Sequence, residues 1–141
     1  MSDRSYWLLK SEPGTYSFER LLSEKKAVWD GVRNPEARSN LRKMSIGDIC
    51  FFYHSGEGKC VVGLAKVVRE AYQDPTTKDD WSAVDIAPIG PMKKQVTLAQ
   101  MKADAKLKEM SVVRKSRLSV SPVTPSELAH VLVLGDTKPP K

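Results

Sequence analysis

The alternation of apolar and polar side chains divides the chain into short elements. Tyr6 to Leu9 is an apolar run rich in aromatic and branched residues, and it stops at Lys10-Ser11-Glu12-Pro13-Gly14, where Pro and Gly break regular pairing. This pattern predicts a strand entering a loop. From Ser17 the apolar positions Phe18, Leu21 and Leu22 fall at i, i+3 and i+4, the spacing of one helix face, with Ser17 as N-cap. A second helix is expected from Asn34 to near Lys43. Asn is a favoured N-cap, Pro35 suits the first helical position because its missing N–H would have no partner there, and Glu36 complements the positive end of the dipole. Asp48 to His54 and Cys60 to Arg69 are rich in β-formers and flank Gly56-Glu57-Gly58, which predicts a central antiparallel hairpin. A further strand around Ala83 to Ile89 and a helix beginning at Thr97 should follow. At the end, Thr124-Pro125-Ser126-Glu127 supplies an N-cap, a Pro at the first helical position and a capping-box Glu, with Gly135 as the stop, so the last helix should bury Leu128, Val131 and Leu132. The order β, α, α, β, β, β, α, α, without repeat or linker, predicts one α+β domain over residues 1–141. Its curved, largely antiparallel sheet should close towards a barrel flanked by short helices, with 136–141 as a flexible tail.

Composition narrows the class. At 141 residues the chain suits a single core, and 40% hydrophobic with 28% charged residues excludes a disordered or low-complexity protein. No apolar run approaches the roughly 18 residues of a membrane helix, and the first residues lack a signal peptide's apolar stretch, so no membrane partner and a cytoplasmic location are expected. Cys50 and Cys60 form neither a Cys-x-x-Cys pair nor a disulfide framework, so reduced thiols, no metal and no cofactor are expected.

The net charge of +6 is local. Residues 1–92 carry 13 basic and 13 acidic side chains, whereas the segment 93–117 holds Lys93, Lys94, Lys102, Lys106, Lys108, Arg114, Lys115 and Arg117 against Asp104 and Glu109. A cationic segment beside a neutral body fits a polyanion, because cations that neutralise phosphates release condensed counterions. It also fits a plain solvated face, since Lys102, Lys106 and Lys108 sit at helix-like spacing.

Catalytic patterns are sparse. The histidines are His54 and His130, and the latter lies in the apolar last helix. Cys50 and His54 share a strand face and form the one conceivable nucleophile pair, set against a buried Cys and a rim His. No phosphate-cradling Gly-x-x-x-x-Gly-Lys-Ser/Thr loop and no Gly-x-Gly-x-x-Gly is present. Trp29-Asp30-Gly31-Val32-Arg33-Asn34 is more informative: a large aromatic, a Gly that lets a backbone approach, and Arg and Asn donors lie within six residues. A planar heterocycle needs that mixture, with its faces stacked on a ring and its edge read by polar groups. The alternative is that Trp29 is core and Asn34 only a cap. Tyr53-His54-Ser55, at a strand end, and Trp81, after the turn Asp74-Pro75, are candidates for the remaining walls.

Four strings carry a resemblance. Lys10-Ser11-Glu12-Pro13; Trp29 to Asn34 with Ala37-Arg38; Gly47-Asp48 leading to Phe52-Tyr53-His54-Ser55; and Ser116-Arg117-Leu118-Ser119-Val120 with Pro122-Val123 occur in the order seen in EVE domains, over roughly residues 5–132. EVE domains belong to the PUA-like group and are similar to YTH readers of methylated adenine. The resemblance implies a β-barrel with flanking helices and a pocket for a modified base, without catalysis. It implies Trp29 as a stacking wall, Asn34 and Ser11 as base-edge contacts, and Tyr53, His54 and Ser55 at the mouth. Arg33 and Arg117 would meet phosphate or organise the Trp29 loop, and Arg117 has the alternative of a buried ion pair with Glu12. Leu128 stands where many members carry Trp.

The expected function is therefore a non-enzymatic, monomeric module. It binds DNA or RNA carrying a modified cytosine or methylated adenine, beside a basic surface that includes Lys93, Lys94, Arg114, Lys115 and Arg117. The alternatives are an enzyme on a modified nucleotide, using His54 with Glu12 or Cys50, and a protein-interaction module that binds an acidic partner through 93–117.

Overall fold

The computed structural model describes residues 4–140 except Glu57 and Ser116. Those two residues of the predicted hairpin loop and of the fourth string, like the ends of the predicted domain, lie outside the described residues. Six strands, β1 (Tyr6–Ser11), β2 (Ala27–Trp29), β3 (Ile49–His54), β4 (Cys60–Gln73), β5 (Ser82–Thr97) and β6 (Val120–Val123), form one sheet in the order β2-β5-β4-β3-β1-β6. β1 runs parallel to β3, and the other neighbours are antiparallel.

The sheet is curved but does not close into the expected barrel. Register shifts along β4 and β5, between Val61/Gly63, Leu64/Ala65, Val67/Arg69 and Arg69/Tyr72, bend the two longest strands. Closure needs the edge strands to pair with each other, and the edges here are β2, with three residues, and β6, with four. Both were missed in the sequence pattern. β2 is too short to display a period of two, and β6 contains Pro122, which argues against a strand except at an edge, where β6 lies.

Helix starts follow the predicted chemistry. In α1 (Phe18–Glu24) the Ser17 side chain accepts from the Arg20 N–H, and in α2 (Pro35–Lys43) Asn34 accepts from the Ala37 N–H. α3 (Leu98–Ala103) and α5 (Pro125–Leu134) open on complete capping boxes at Thr97 and Thr124, and α5 buries Leu128, Val131 and Leu132. A short α4 (Ser111–Arg114) was not expected.

Strand alternation splits the apolar residues into two cores, one on each face of the sheet. Trp7, Leu9, Cys50 and Phe52 join Phe18 and Leu21 of α1, Ala37 and Leu41 of α2, and Trp29. Leu8, Phe51 and Tyr53 face the other way, under Met101, Leu107, Met110 and α5. Each large side chain so buried contributes roughly 1.5–3 kcal/mol. On the first face Gly63 is required by space, since a Cβ there would lie 2.3 Å from the Phe18 ring. The start of the expected tail is tied down: Asp136 pairs with Lys93 at 3.3 Å, and Thr137 accepts from the Lys93 N–H at 2.9 Å.

Candidate nucleic-acid interface

A cavity of about 560 Å³ opens where the sheet fails to close. The edge strand β2 lines it together with the loop that follows, and so do the end of β1, its loop to α1, and Ser119 just before β6. Its volume is that of a small-molecule pocket, roughly 300–1,000 Å³.

The first wall is built by Lys10, Ser11 and Glu12 with Thr15 and Tyr16. The Ser11 hydroxyl donates to the Tyr16 carbonyl at 2.6 Å, while the Thr15 and Tyr16 N–H groups donate to the Glu12 carbonyl at 2.9 and 2.8 Å. This tight turn sets the Tyr16 ring edge-on to Trp29, with centroids 6.3 Å apart. Trp29 is also edge-on to Phe52 at 5.5 Å and is only 8% exposed. It is therefore a core residue that also lines the cavity.

The second wall is the loop from Asp30 to Asn34, and its anchor is Asp74, whose side chain is fully buried. Asp74 accepts from the Gly31 N–H at 2.9 Å, from Arg33 Nη1 at 2.9 Å, and from the Thr76 N–H and hydroxyl at 2.7 and 2.5 Å. Burial alone would raise its carboxyl. The hydrogen bonds from Thr76, Gly31 and Arg33 outweigh burial and hold it well below the usual carboxylate range. Arg33 also donates to the Val32 carbonyl and to Thr76, so it organises the loop. Gly31 takes a φ of +75°, a conformation that favours glycine, and a Cβ there would meet nothing of the protein within 4 Å. Asn34 Oδ1 is taken by the Ala37 N–H at 2.9 Å, which leaves Nδ2 without a partner among the described residues. Asp30 completes the wall, its carboxyl raised by burial and then by the charge of Asp74.

The structure thus brings Ser11, Trp29, Arg33 and Asn34 to one cavity. Tyr53, His54, Ser55 and Trp81 are not among its lining residues. Tyr53 is 2% exposed in the second core, because the period of two that turns Phe52 towards Trp29 turns Tyr53 away; burial pushes its hydroxyl up to about 12. His54 Nε2 accepts from the Phe18 N–H at 3.1 Å, which makes the ring neutral with its proton on Nδ1, and burial lowers its pKa. The Ser55 N–H ties the β3 end to the Ser11 carbonyl at 3.0 Å. Trp81 lies under the guanidinium of Arg38 at 4.7 Å and that of Arg33 at 5.7 Å, in the loop after Asp74.

The Cys50–His54 pair does not form. Four residues along a strand separate the two by about 13 Å. Cys50 is moreover fully buried, its thiol pushed up by burial and then by Asp48. Nor does Arg117 pair with Glu12: it is exposed and makes no ion pair among the described residues.

The basic segment is not one patch. Lys93 pairs with Asp136, Arg114 with Glu109 and Lys115 with Glu36, at 3.3, 3.0 and 2.6 Å, all between partly exposed groups. Lys93 and Lys94 sit beside Gly135 at the end of α5, whereas Arg117 is two residues from Ser119 on the cavity wall. Sequence reasoning did not single out Lys10, which lines the cavity and whose ammonium is lowered by burial and by nearby Lys59. It also missed Tyr16, Asp30 and the role of Asp74. The Asp-Pro-Thr turn at 74–76 was the available signal, because an Asp side chain commonly caps the backbone two residues on. Among the described residues no cluster of three or more metal ligands occurs, and no helix is long and apolar enough to cross a membrane.

An open mixed sheet with helices on both faces, and a part-aromatic, part-polar cavity at its seam, defines a small α+β domain with a ligand-sized cavity. The EVE domain model matches residues 5–134, and the chain belongs to the EVE domain family. It is 37% identical to thymocyte nuclear protein 1 of Mus musculus, over 96% of this chain and 75% of that protein. Among solved structures it is similar to the human THYN1 protein in complex with 5-methylcytosine-containing DNA, with 36% identity, coverage of 96% and 99%, and a TM-score of 0.86. The YTH domain of Zygosaccharomyces rouxii MRB1, solved with N6-methyladenosine RNA, shares the fold alone, at 15% identity, coverage of 96% and 88%, and a TM-score of 0.59.

Proposed function

We propose that this domain is a non-enzymatic reader that holds one modified base of DNA or RNA in the cavity beside Trp29. A modified cytosine is favoured over a methylated adenine. The observation that carries the reading is the wall itself: an aromatic ring, the Asn34 amide and the Ser11 hydroxyl oxygen border one base-sized cavity on a loop locked by Asp74. The human protein solved with 5-methylcytosine DNA, 36% identical, supports the same ligand class. Stacking of about 1–3 kcal/mol per base gives modest affinity unless phosphate contacts add to it, so binding should be weak and salt-sensitive. Lys10, which lines the cavity, and Arg117, two residues from its wall at Ser119, are the first cations to meet the backbone. Lys115 and Arg114 follow by exchanging surface ion pairs that are worth little. Lys93 and Lys94 contribute from farther away. The buried thiol of Cys50 and the committed nitrogen of His54 weigh against an enzyme. The free thiols of Cys50 and Cys60 suit a reducing compartment, and we place the domain in the cytoplasm as a monomer.

The test is a tryptophan-fluorescence titration with short single strands of DNA and RNA. Each carries cytosine, 5-methylcytosine, 5-hydroxymethylcytosine, adenine or N6-methyladenine at one position. A response that depends on the modification, with a modified cytosine bound best, is expected. Uniform salt-dependent binding, or none, would replace the reader with a module for acidic partners.

A further inference from the structure

Around the cavity the Ser11 hydroxyl and part of the Arg33 guanidinium are spent on the wall itself, whereas two carboxylates are not. Ser11 gives its proton to the Tyr16 carbonyl, and Arg33 makes three hydrogen bonds, to Asp74, Val32 and Thr76. Asp30 and Glu12, in contrast, line the same cavity, and their carboxylates accept no hydrogen bond from another residue among the described residues. Either carboxylate can accept N–H groups of a ligand. Asp30 is the better placed of the two. It follows Trp29 directly and precedes Gly31, whose N–H is fixed to Asp74, so its backbone is held at both sides. Partial burial and the neighbouring negative charge of Asp74 raise its carboxyl, so an approaching N–H relieves an unfavourable charge.

We propose that Asp30 is the specificity-determining residue of the cavity: its carboxylate accepts the exocyclic amine of the bound base, so the site takes an amino-bearing base and rejects the oxo counterpart. The proposal rests on the reader function above. A carboxylate accepts from the cytosine amine, whereas the carbonyl of thymine at that position sets lone pairs against lone pairs. 5-Methylcytosine and thymine carry the same methyl group and differ at that substituent and the ring proton it dictates. Their comparison therefore isolates the contact from the modification itself.

The experiment measures the affinity of single-stranded DNA carrying 5-methylcytosine, cytosine or thymine at one position, for the wild type, Asp30→Asn, Asp30→Glu and Glu12→Gln. The wild type should prefer 5-methylcytosine over thymine by about tenfold or more. Asp30→Asn, which can donate to a carbonyl, should bring that ratio to within about twofold while still binding thymine at least as well as the wild type does. Asp30→Glu should keep part of the preference. Asp30 is exposed, so circular dichroism of the variants should match the wild type. A ratio unchanged in Asp30→Asn, or lost in Glu12→Gln instead, overturns the role of Asp30. A wild type that prefers 5-methylcytosine to cytosine yet binds thymine equally well overturns it too, and leaves the reader standing. A wild type that distinguishes none of the three overturns both.

Discussion

Phe52 and Tyr53 are neighbours on one strand and belong to different halves of the molecule. Phe52 packs on Trp29 and so supports the cavity wall, while Tyr53 is sealed beneath the helices of the opposite face. Both faces are apolar, yet it is the first that leads to the cavity beside Trp29. The difference lies in what ends each face. The second core is covered by α3, α4 and α5, while the first runs out at β2, a three-residue edge strand that cannot reach β6. The cavity is the gap that an unclosed sheet leaves, and its polar wall is the loop that Asp74 pins beside it. Burial alone therefore does not mark an aromatic residue that lines the cavity. Which side of the pleat it occupies, and whether that side reaches the seam, does.

Mutations can separate the two faces. Tyr53→Ala should have the largest effect on stability, about 3–5 kcal/mol in urea unfolding, while leaving the ratio of modified to plain base affinity unchanged in the folded protein; a changed ratio would mean that the faces are coupled. Asp74→Ala should cost about 3 kcal/mol, since it strands the donors of Gly31, Arg33 and Thr76. Unlike Tyr53→Ala, it should also blunt base discrimination in the titration, because the wall loop loses its anchor. Gly63→Ala should cost about 1–3 kcal/mol by forcing Phe18 off β4, and thermal unfolding reads it directly.

The smallest expected effect is a pH dependence. The folded state holds the pKa of His54 below the ordinary 6.5, so its contribution is full above that value and is lost as pH falls through the folded one. Protonation removes the Nε2 acceptor of the Phe18 N–H, and His54→Gln should flatten the fall in stability below pH 6.5. An unchanged slope would place the acid sensitivity elsewhere.

Local chemistry was legible in the sequence and closure was not. The caps at Ser17, Asn34, Thr97 and Thr124 and the stop at Gly135 are short-range signals, and α1, α2, α3 and α5 begin where the caps fall, while the unexpected α4 has no side-chain cap. The strands β2 and β6 depend on partners far along the chain, so three residues and a Pro-containing tetrapeptide gave no pattern to read. The same distinction runs through the cavity. Trp29 and Asn34 were singled out because they are adjacent in sequence, but Asp74 reaches Arg33 across 41 positions. Tyr53 was misplaced next to His54 because a strand's two faces look alike in a run that is apolar on both. The basic segment was legible as charge, although its pairing with Glu36, Glu109 and Asp136 was not.

The base-reading role proposed for the cavity turns on the ring of Trp29. Because Trp29 is also core, the decisive variant is Trp29→Leu, which keeps apolar volume and removes the aromatic face; its folding is checked by circular dichroism. The affinities of labelled single strands with 5-methylcytosine or cytosine are then compared by fluorescence anisotropy at one salt concentration. The wild type should prefer the methylated strand, and folded Trp29→Leu should bind both strands alike, through their phosphates. A preference retained in Trp29→Leu, or equal loss of affinity for both strands, would contradict it.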